Sequence, residues 1–303
     1  MKRTLLIGPL PTPLTGLSIA NQQALKVFSK TQKPHYINTS PREFSENLGK
    51  FNILSLLHFS VSYIKSYKIF FADKVYYTPG QTFLGVLKYA PFILLSKFLG
   101  KELIVHIHGN YVYEQYNQLN SFKKRIFHYL LSLSNKGIVL SEALTNNLTP
   151  FLPPDKIFVL PNFYNKSLTE QPLNKTFYKL KICFLSNLMN EKGIFYLIDA
   201  LSELSAKGIS FKASIAGHVE QSQRDKILDL MKQIKEVTYA GVVTGEAKRK
   251  LLHEANVFVL PTFYKMEGLP ISIIEAMATG NVIISTNHAA IPDLVTEGEN
   301  GFL

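Results

Sequence analysis

Short apolar runs alternate with longer amphipathic stretches along this chain. Thr4–Gly8, Lys74–Thr78, Glu102–His106, Gly137–Leu140 and Lys156–Leu160 each predict a buried strand, and Ser18–Ser29, Gln81–Leu99 and Ser121–Ser134 between them carry helical spacing. The alternation stops at Phe163–Thr176, a polar and aperiodic stretch that suits a linker. It then restarts with strands at Lys181–Leu185, Phe211–Ala216, Val237–Ala240, Val257–Leu260 and Val282–Ser285. Gly193–Ala206 reads as a helix, with Ile194, Leu197, Ile198, Leu201 and Leu204 on one side. Apolar strands joined by helical crossovers imply parallel sheets covered on both faces. Two such runs predict an α/β chain of two doubly wound, Rossmann-like domains, 1–165 and 166–303, facing a central cleft. Ligands of such sheets bind at the carboxyl ends of the strands.

Composition narrows the class. A length of 303 residues exceeds what one core usually carries, and 46% hydrophobic residues exclude a disordered chain. The single cysteine, Cys183, excludes a disulfide framework and a cysteine-based zinc site. Prolines cut the first apolar run after Gly8, too early for a secretory signal, and Lys88 and Lys97 interrupt the longest apolar stretch, Phe83–Leu99, so a cytoplasmic protein is expected. The net charge of +11 is one-sided: residues 1–165 hold 18 basic and 7 acidic residues, and residues 166–303 hold 15 of each. Basic and aromatic residues interleave in the first half, at Tyr63, Lys65, Tyr67, Lys68, Phe70 and Phe71 and again at Lys123, Lys124, Arg125, Phe127 and His128. This asymmetry points to an anionic partner for that half: a membrane surface, an anionic acceptor or nucleic acid. Nucleic acid ranks last, because the basic residues are scattered and no recognised nucleic-acid module is present.

Four segments could carry chemistry. The first runs from Glu267 to Gly280: Pro270 suits the first turn of a helix and Gly280 its end, which puts Glu267 in a loop and Glu275 on the helix. Two carboxylates so placed can accept from hydroxyls at two points of one ligand, while the N–H groups of Gly268 to Ile271 are free for phosphate or sugar oxygens. Ser272 and Glu275 equally read as a capping box, which would make Glu275 structural. The second is Lys192, before Gly193 at a helix N-terminus, where the dipole disfavours a cation unless an anion binds. Pairing with neighbouring Glu191 is the plain alternative. The third is His106 with His108, two apart at a strand end, which could be metal ligands but lack a third. The fourth is the Pro9–Ser18 loop, where Gly16 allows close backbone approach to an anion. There is no G-x-G-x-x-G, Walker or Asp-x-Asp pattern, which argues against dinucleotide or P-loop chemistry and against a metal held by a paired-aspartate motif.

Taken together, Lys192-Gly193, Ala216-Gly217, Tyr239 to Val243, Leu260-Pro261, Glu267 with Glu275 eight residues on, Ile291 to Asp293 and Glu299 to Leu303 resemble the family 4 retaining glycosyltransferases of GT-B fold. The resemblance is strongest over 181–303. It implies a nucleoside-diphosphate sugar donor, UDP-linked, with no cofactor and no metal. Glu275 would bind the ribose hydroxyls and Glu267 the hydroxyls of the transferred sugar. Lys192 would stabilise the departing diphosphate, and backbone at Gly268 and Leu269, with Pro270, would touch sugar and phosphate. His108 would lie near the anomeric carbon, Gly16 near the diphosphate, and Gly241 and Val242 near the base. Asn187 stands where many relatives carry an arginine, so one cation is missing from the diphosphate site. The family continues past a Gly-Phe-Leu segment into further helices, which implies a C-terminally truncated chain. The implied acceptor is a lipid-linked or growing saccharide in bacterial surface polysaccharide synthesis, at the inner face of an anionic membrane. An epimerase acting on the sugar nucleotide and a non-catalytic binding relative are the alternatives.

Overall fold

The computed structural model describes residues 3–40, 59–173 and 175–303. The chain divides into two compact units at Pro161/Asn162, slightly before the boundary placed at 165/166. The Asn162 side chain explains the shift: its Nδ2 donates to the carbonyl of Leu269, 2.6 Å away, so the segment is already tied to the second unit.

The first unit is a six-stranded parallel sheet of β1 (Thr4–Gly8), β2 (Tyr36–Asn38), β3 (Lys74–Tyr77), β4 (Glu102–His106), β5 (Lys136–Val139) and β6 (Ile157–Val159), in the order β2-β1-β3-β4-β5-β6. Its helices are α1 (Gly16–Phe28), α2 (Phe83–Leu87), α3 (Ala90–Phe98), α4 (Val112–Gln118) and α5 (Ser121–Ser132), with a 3₁₀ helix over Val61–Phe71. Leu5, Leu6, Ile7, Val75, Leu103 and Val105 are fully buried, as strands covered on both faces require.

The second unit repeats the plan with β7 (Leu180–Leu185), β8 (Phe211–Ala216), β9 (Val237–Tyr239), β10 (Val257–Val259), β11 (Val282–Ile284) and β12 (Gly301–Phe302), in the order β12-β11-β10-β7-β8-β9. Its helices are α6 (Ile194–Ala206), α7 (Gln221–Lys232), α8 (Gly245–Glu254) and α9 (Ile271–Ala278). Ile194, Leu197, Ile198 and Leu201 of α6 pack with Cys183, Phe184, Ile215 and Phe258 in one core.

The sequence expectations need three corrections. Gln81–Leu99 is two helices, because Tyr89 caps a new one with Pro91 in its first turn. Four elements escape the hydrophobic pattern, the 3₁₀ helix Val61–Phe71 among them. β2 and β12 have three and two residues, too short for a period, and α4 buries only Val112 and so shows no apolar stripe. Ser272 is no N-cap, since Pro270 holds that position and Ser272 lies inside α9, so the capping-box reading of Glu275 fails.

In both sheets the strand order reverses beside the first strand of the unit, between β1 and β3 and between β7 and β10. In doubly wound sheets this switch point opens a crevice at the carboxyl ends of the strands, because the flanking helices leave on opposite faces. All the candidate residues follow carboxyl ends.

Candidate functional site in the second unit

The loops after β7 and β10, the two strands at the switch point, are bound to each other. The N–H of Phe263 donates to the carbonyl of Glu191 at 2.8 Å, and the Thr262 hydroxyl donates to the same carbonyl. Gly193 (φ +80°) makes the join possible: a Cβ there would meet the carbonyl oxygen of Pro261 at 2.2 Å. The turn thus brings Lys192 to Glu267, Nζ to Oε2 2.5 Å, with Thr262 Oγ1 3.1 Å from the same oxygen. The ammonium also faces the Tyr264 ring, 4.8 Å from its centroid. Lys192 therefore does not pair with Glu191. Its partner lies 75 residues away, and both members of the pair are largely buried.

Glu275 belongs to a second pair. Lys248 Nζ, on α8, lies 2.5 Å from Glu275 Oε1, and only 5% of Glu275 is exposed. Lys248 was not a sequence candidate, because nothing in its neighbourhood connects it with a carboxylate 27 residues on. Among the described residues, Glu267 Oε1 and Glu275 Oε2 accept no hydrogen bond, and the N–H groups of Gly268, Leu269, Ile271 and Ser272 donate none. Ile271 and Ser272 open α9, whose first N–H groups have no intrahelical partner. Two half-satisfied carboxylates and a row of open N–H donors thus stand on one loop–helix segment, each carboxylate held by a lysine from another element. This set can accept from hydroxyls and donate to anionic oxygens at once.

The loops after β8 and β9 are likewise bound to each other. The Gly217 N–H donates to the Gly241 carbonyl at 2.9 Å, and Tyr239 Oη donates to the Gly217 carbonyl at 2.8 Å. Gly241 (φ +67°) leaves open space where a side chain would stand, and Val242 beside it is exposed. Asn187, in the loop after β7, is half-buried. Gly268, Leu269 and Pro270 are buried, with the Leu269 carbonyl already taken by Asn162. Cys183 sits inside the core, and burial pushes its thiol up to about 12, so it is no nucleophile.

Gly16 and His108 lie in the first unit. Gly16 opens α1 directly, two residues earlier than expected, behind a reciprocal cap in which Thr15 and Ser18 exchange side-chain-to-backbone bonds. No atom lies within 4 Å of a Cβ placed on Gly16. His108 follows β4, and its ring lies over that of His106, centroids 3.9 Å apart. Tyr76 Oη is 2.5 Å from His106 Nδ1. The Nε2 atoms of both histidines and Oδ1 of Asn21 are buried without a partner, all near the carboxyl end of β1, β3 and β4. Among the described residues no three His, Cys, Asp or Glu side chains gather as a metal ligand set.

Burial is also the main force on this histidine pair. It lowers the pKa of His108 to about 3 and that of His106 well below the ordinary value, with His108 adding to the shift on His106. Both are neutral in the folded chain and would charge on unfolding below about pH 6.5. The stability they contribute is complete above that pH and is lost as pH falls toward the folded values. Between pH 7.5 and 5, His108 alone should cost up to about 2 kcal/mol. Urea unfolding followed by far-UV circular dichroism should show this loss, and His108→Asn should flatten it. A midpoint independent of pH in wild type would contradict the assignment.

Residues 179–303 match the sequence model of the glycosyl transferases group 1 family. Two relatives give the particular likeness. WcaL of Salmonella typhimurium, named for colanic acid biosynthesis, is 31% identical over 162 residues, covering 50% of this chain and 39% of its own length. The amylovoran biosynthesis glycosyltransferase AmsK of Erwinia amylovora is 30% identical over 129 residues, covering 41% of this chain and 32% of its own. The chain thus spans about a third to two-fifths of the length of these relatives. Among solved structures, HepE of Anabaena in complex with UDP and glucose superimposes with a TM-score of 0.67 at 16% identity, covering 100% of this chain and 85% of that one. The tandem of doubly wound units is the GT-B fold.

Proposed function

We propose that the protein is a retaining glycosyltransferase that moves a sugar from a nucleoside-diphosphate donor, UDP-linked, to a saccharide or polyprenyl-linked acceptor in surface polysaccharide synthesis. The observation that carries this reading is the pairing of Lys192 with Glu267 and Lys248 with Glu275 at the switch point of the second sheet, each carboxylate keeping one oxygen open. Relatives named for colanic acid and amylovoran biosynthesis, and a fold neighbour crystallised with UDP and glucose, support it.

In this reading Glu275 Oε2 accepts from the ribose hydroxyls and Glu267 Oε1 from a hydroxyl of the transferred sugar. Gly241 and Val242 flank the base. The open N–H groups from Gly268 to Ser272 and the amide of Asn187 donate to the donor's oxygens. Lys192 has three ammonium protons; one stays with Glu267 and the others meet the diphosphate as its charge grows. The acceptor hydroxyl oxygen bonds to the anomeric carbon on the face from which the phosphate oxygen departs. That oxygen keeps the electron pair of the broken bond and takes the acceptor's proton, so configuration is retained.

The first unit, with its basic excess, would face the acceptor and the cytoplasmic face of an anionic membrane. Among the described residues no helix is long and apolar enough to cross a membrane.

The test is nucleoside-diphosphate release. Incubation with UDP-sugars should liberate UDP only when a saccharide acceptor is added, and the product should carry the donor's anomeric configuration by proton NMR. Conversion of the UDP-sugar to its epimer without acceptor would make the protein an epimerase, and an inverted product would refute retention.

A further inference from the structure

The 3₁₀ helix Val61–Phe71 has a surface that stays exposed among the described residues. With three residues per turn, side chains three apart eclipse, so the helix carries three straight rows. One row faces inward: Ile69 is fully buried, and Tyr63 stacks against Phe92 and donates its hydroxyl to the Lys88 carbonyl at 2.8 Å. The opposite row, Val61, Ile64, Tyr67 and Phe70, is 53%, 75%, 55% and 57% exposed. The third row sets Lys65 and Lys68 beside it. Lys101, three residues after Phe98 of α3, donates to the Phe70 carbonyl at 3.2 Å, which brings the end of α3 alongside; Phe98 is 86% exposed. Apart from Asp73, no acidic residue occurs between 59 and 101, a stretch with six lysines.

We propose that this face, the Val61–Phe70 row with Phe98 and the flanking lysines, is the docking surface for an anionic lipid bilayer. A straight row of aliphatic and aromatic side chains bordered by ammonium groups has the form of an interfacial element: the apolar tips enter the headgroup boundary while Lys65, Lys68, Lys97 and Lys101 meet lipid phosphates. Charge decides the occupant. A second copy of the chain would set these lysines against their own kind, and nothing acidic in the patch would offset them. The proposal rests on the membrane location proposed above and is independent of the transfer chemistry.

The test is co-sedimentation of the full chain with phosphatidylcholine vesicles containing about a third phosphatidylglycerol, alongside pure phosphatidylcholine vesicles. Wild type should pellet with the anionic vesicles only, and less at high salt. Ile64→Ser with Phe70→Ser, and separately Lys65→Glu with Lys97→Glu, should each lower partitioning at least about tenfold, as expected for two lost apolar anchors or two reversed charges. All four positions are on the surface, so thermal midpoints and UDP binding should match wild type. Wild type remaining in the supernatant, or variants pelleting like wild type, would overturn the proposal. A dimer that the same substitutions dissociate would overturn it in favour of a self-association face. Vesicle binding without UDP binding would sink the transferase reading and leave the docking surface standing; the converse would sink the docking surface alone.

Discussion

Glu275→Ala should bind UDP at least about a hundredfold more weakly than wild type, because two charge-assisted hydrogen bonds to ribose hydroxyls are lost at about 1.5 kcal/mol or more each. The side chain is almost fully buried, and its Oε1 is committed to Lys248. A rival account makes Glu275 a counter-ion only. Removing one member of a buried pair strands the other, which typically destabilises by about 3–5 kcal/mol. The two accounts separate in the double variant Glu275→Ala/Lys248→Met. Replacing the pair by apolar groups should return the thermal midpoint toward wild type, while UDP affinity stays low if Glu275 touches the nucleotide. UDP affinity returning with stability would leave Glu275 a structural residue.

The second large effect is expected at Lys192. Lys192→Ala should lower kcat by about a hundredfold to a thousandfold, with a smaller change in the KM for the donor, since the ammonium's contact strengthens as charge builds on the departing diphosphate. Glu267 then loses its cation but keeps the Thr262 hydroxyl, so the site's walls remain. A change confined to KM would make Lys192 a ground-state contact. Near-normal turnover in both Lys192→Ala and Glu275→Ala would defeat the assignment of the site. Asn187 adds to the weight on Lys192, because an amide supplies hydrogen bonds but no charge.

Most of the fold was legible because buried parallel strands announce themselves as apolar runs. Thr4–Gly8, Glu102–His106 and Phe211–Ala216 occupy the residues predicted for them. What the pattern missed is too short or too little buried to show a period. The strand at Tyr36 is three residues beside β1, and α4 buries only Val112. The site divides in the same way. Glu267, Glu275 and Lys192 stood out by residue type and spacing. The pairing of Lys192 with Glu267 and the partner of Glu275 did not, because spatial neighbours 75 and 27 residues apart leave no local trace. Lys248 is the clearest case: on α8 it is one of several lysines, and only the fold sets it against Glu275. The reading of Glu275 as a helix cap was excluded only by the position of Pro270 at the start of α9.

A crystal structure of the protein soaked with UDP tests the central claim most directly. The account predicts the diphosphate within hydrogen-bond reach of Lys192 Nζ and the open N–H groups after Glu267, with the ribose hydroxyls on Glu275. Nucleotide bound elsewhere in the fold, or bound at this switch point with Glu275 and Lys192 out of contact, would contradict it.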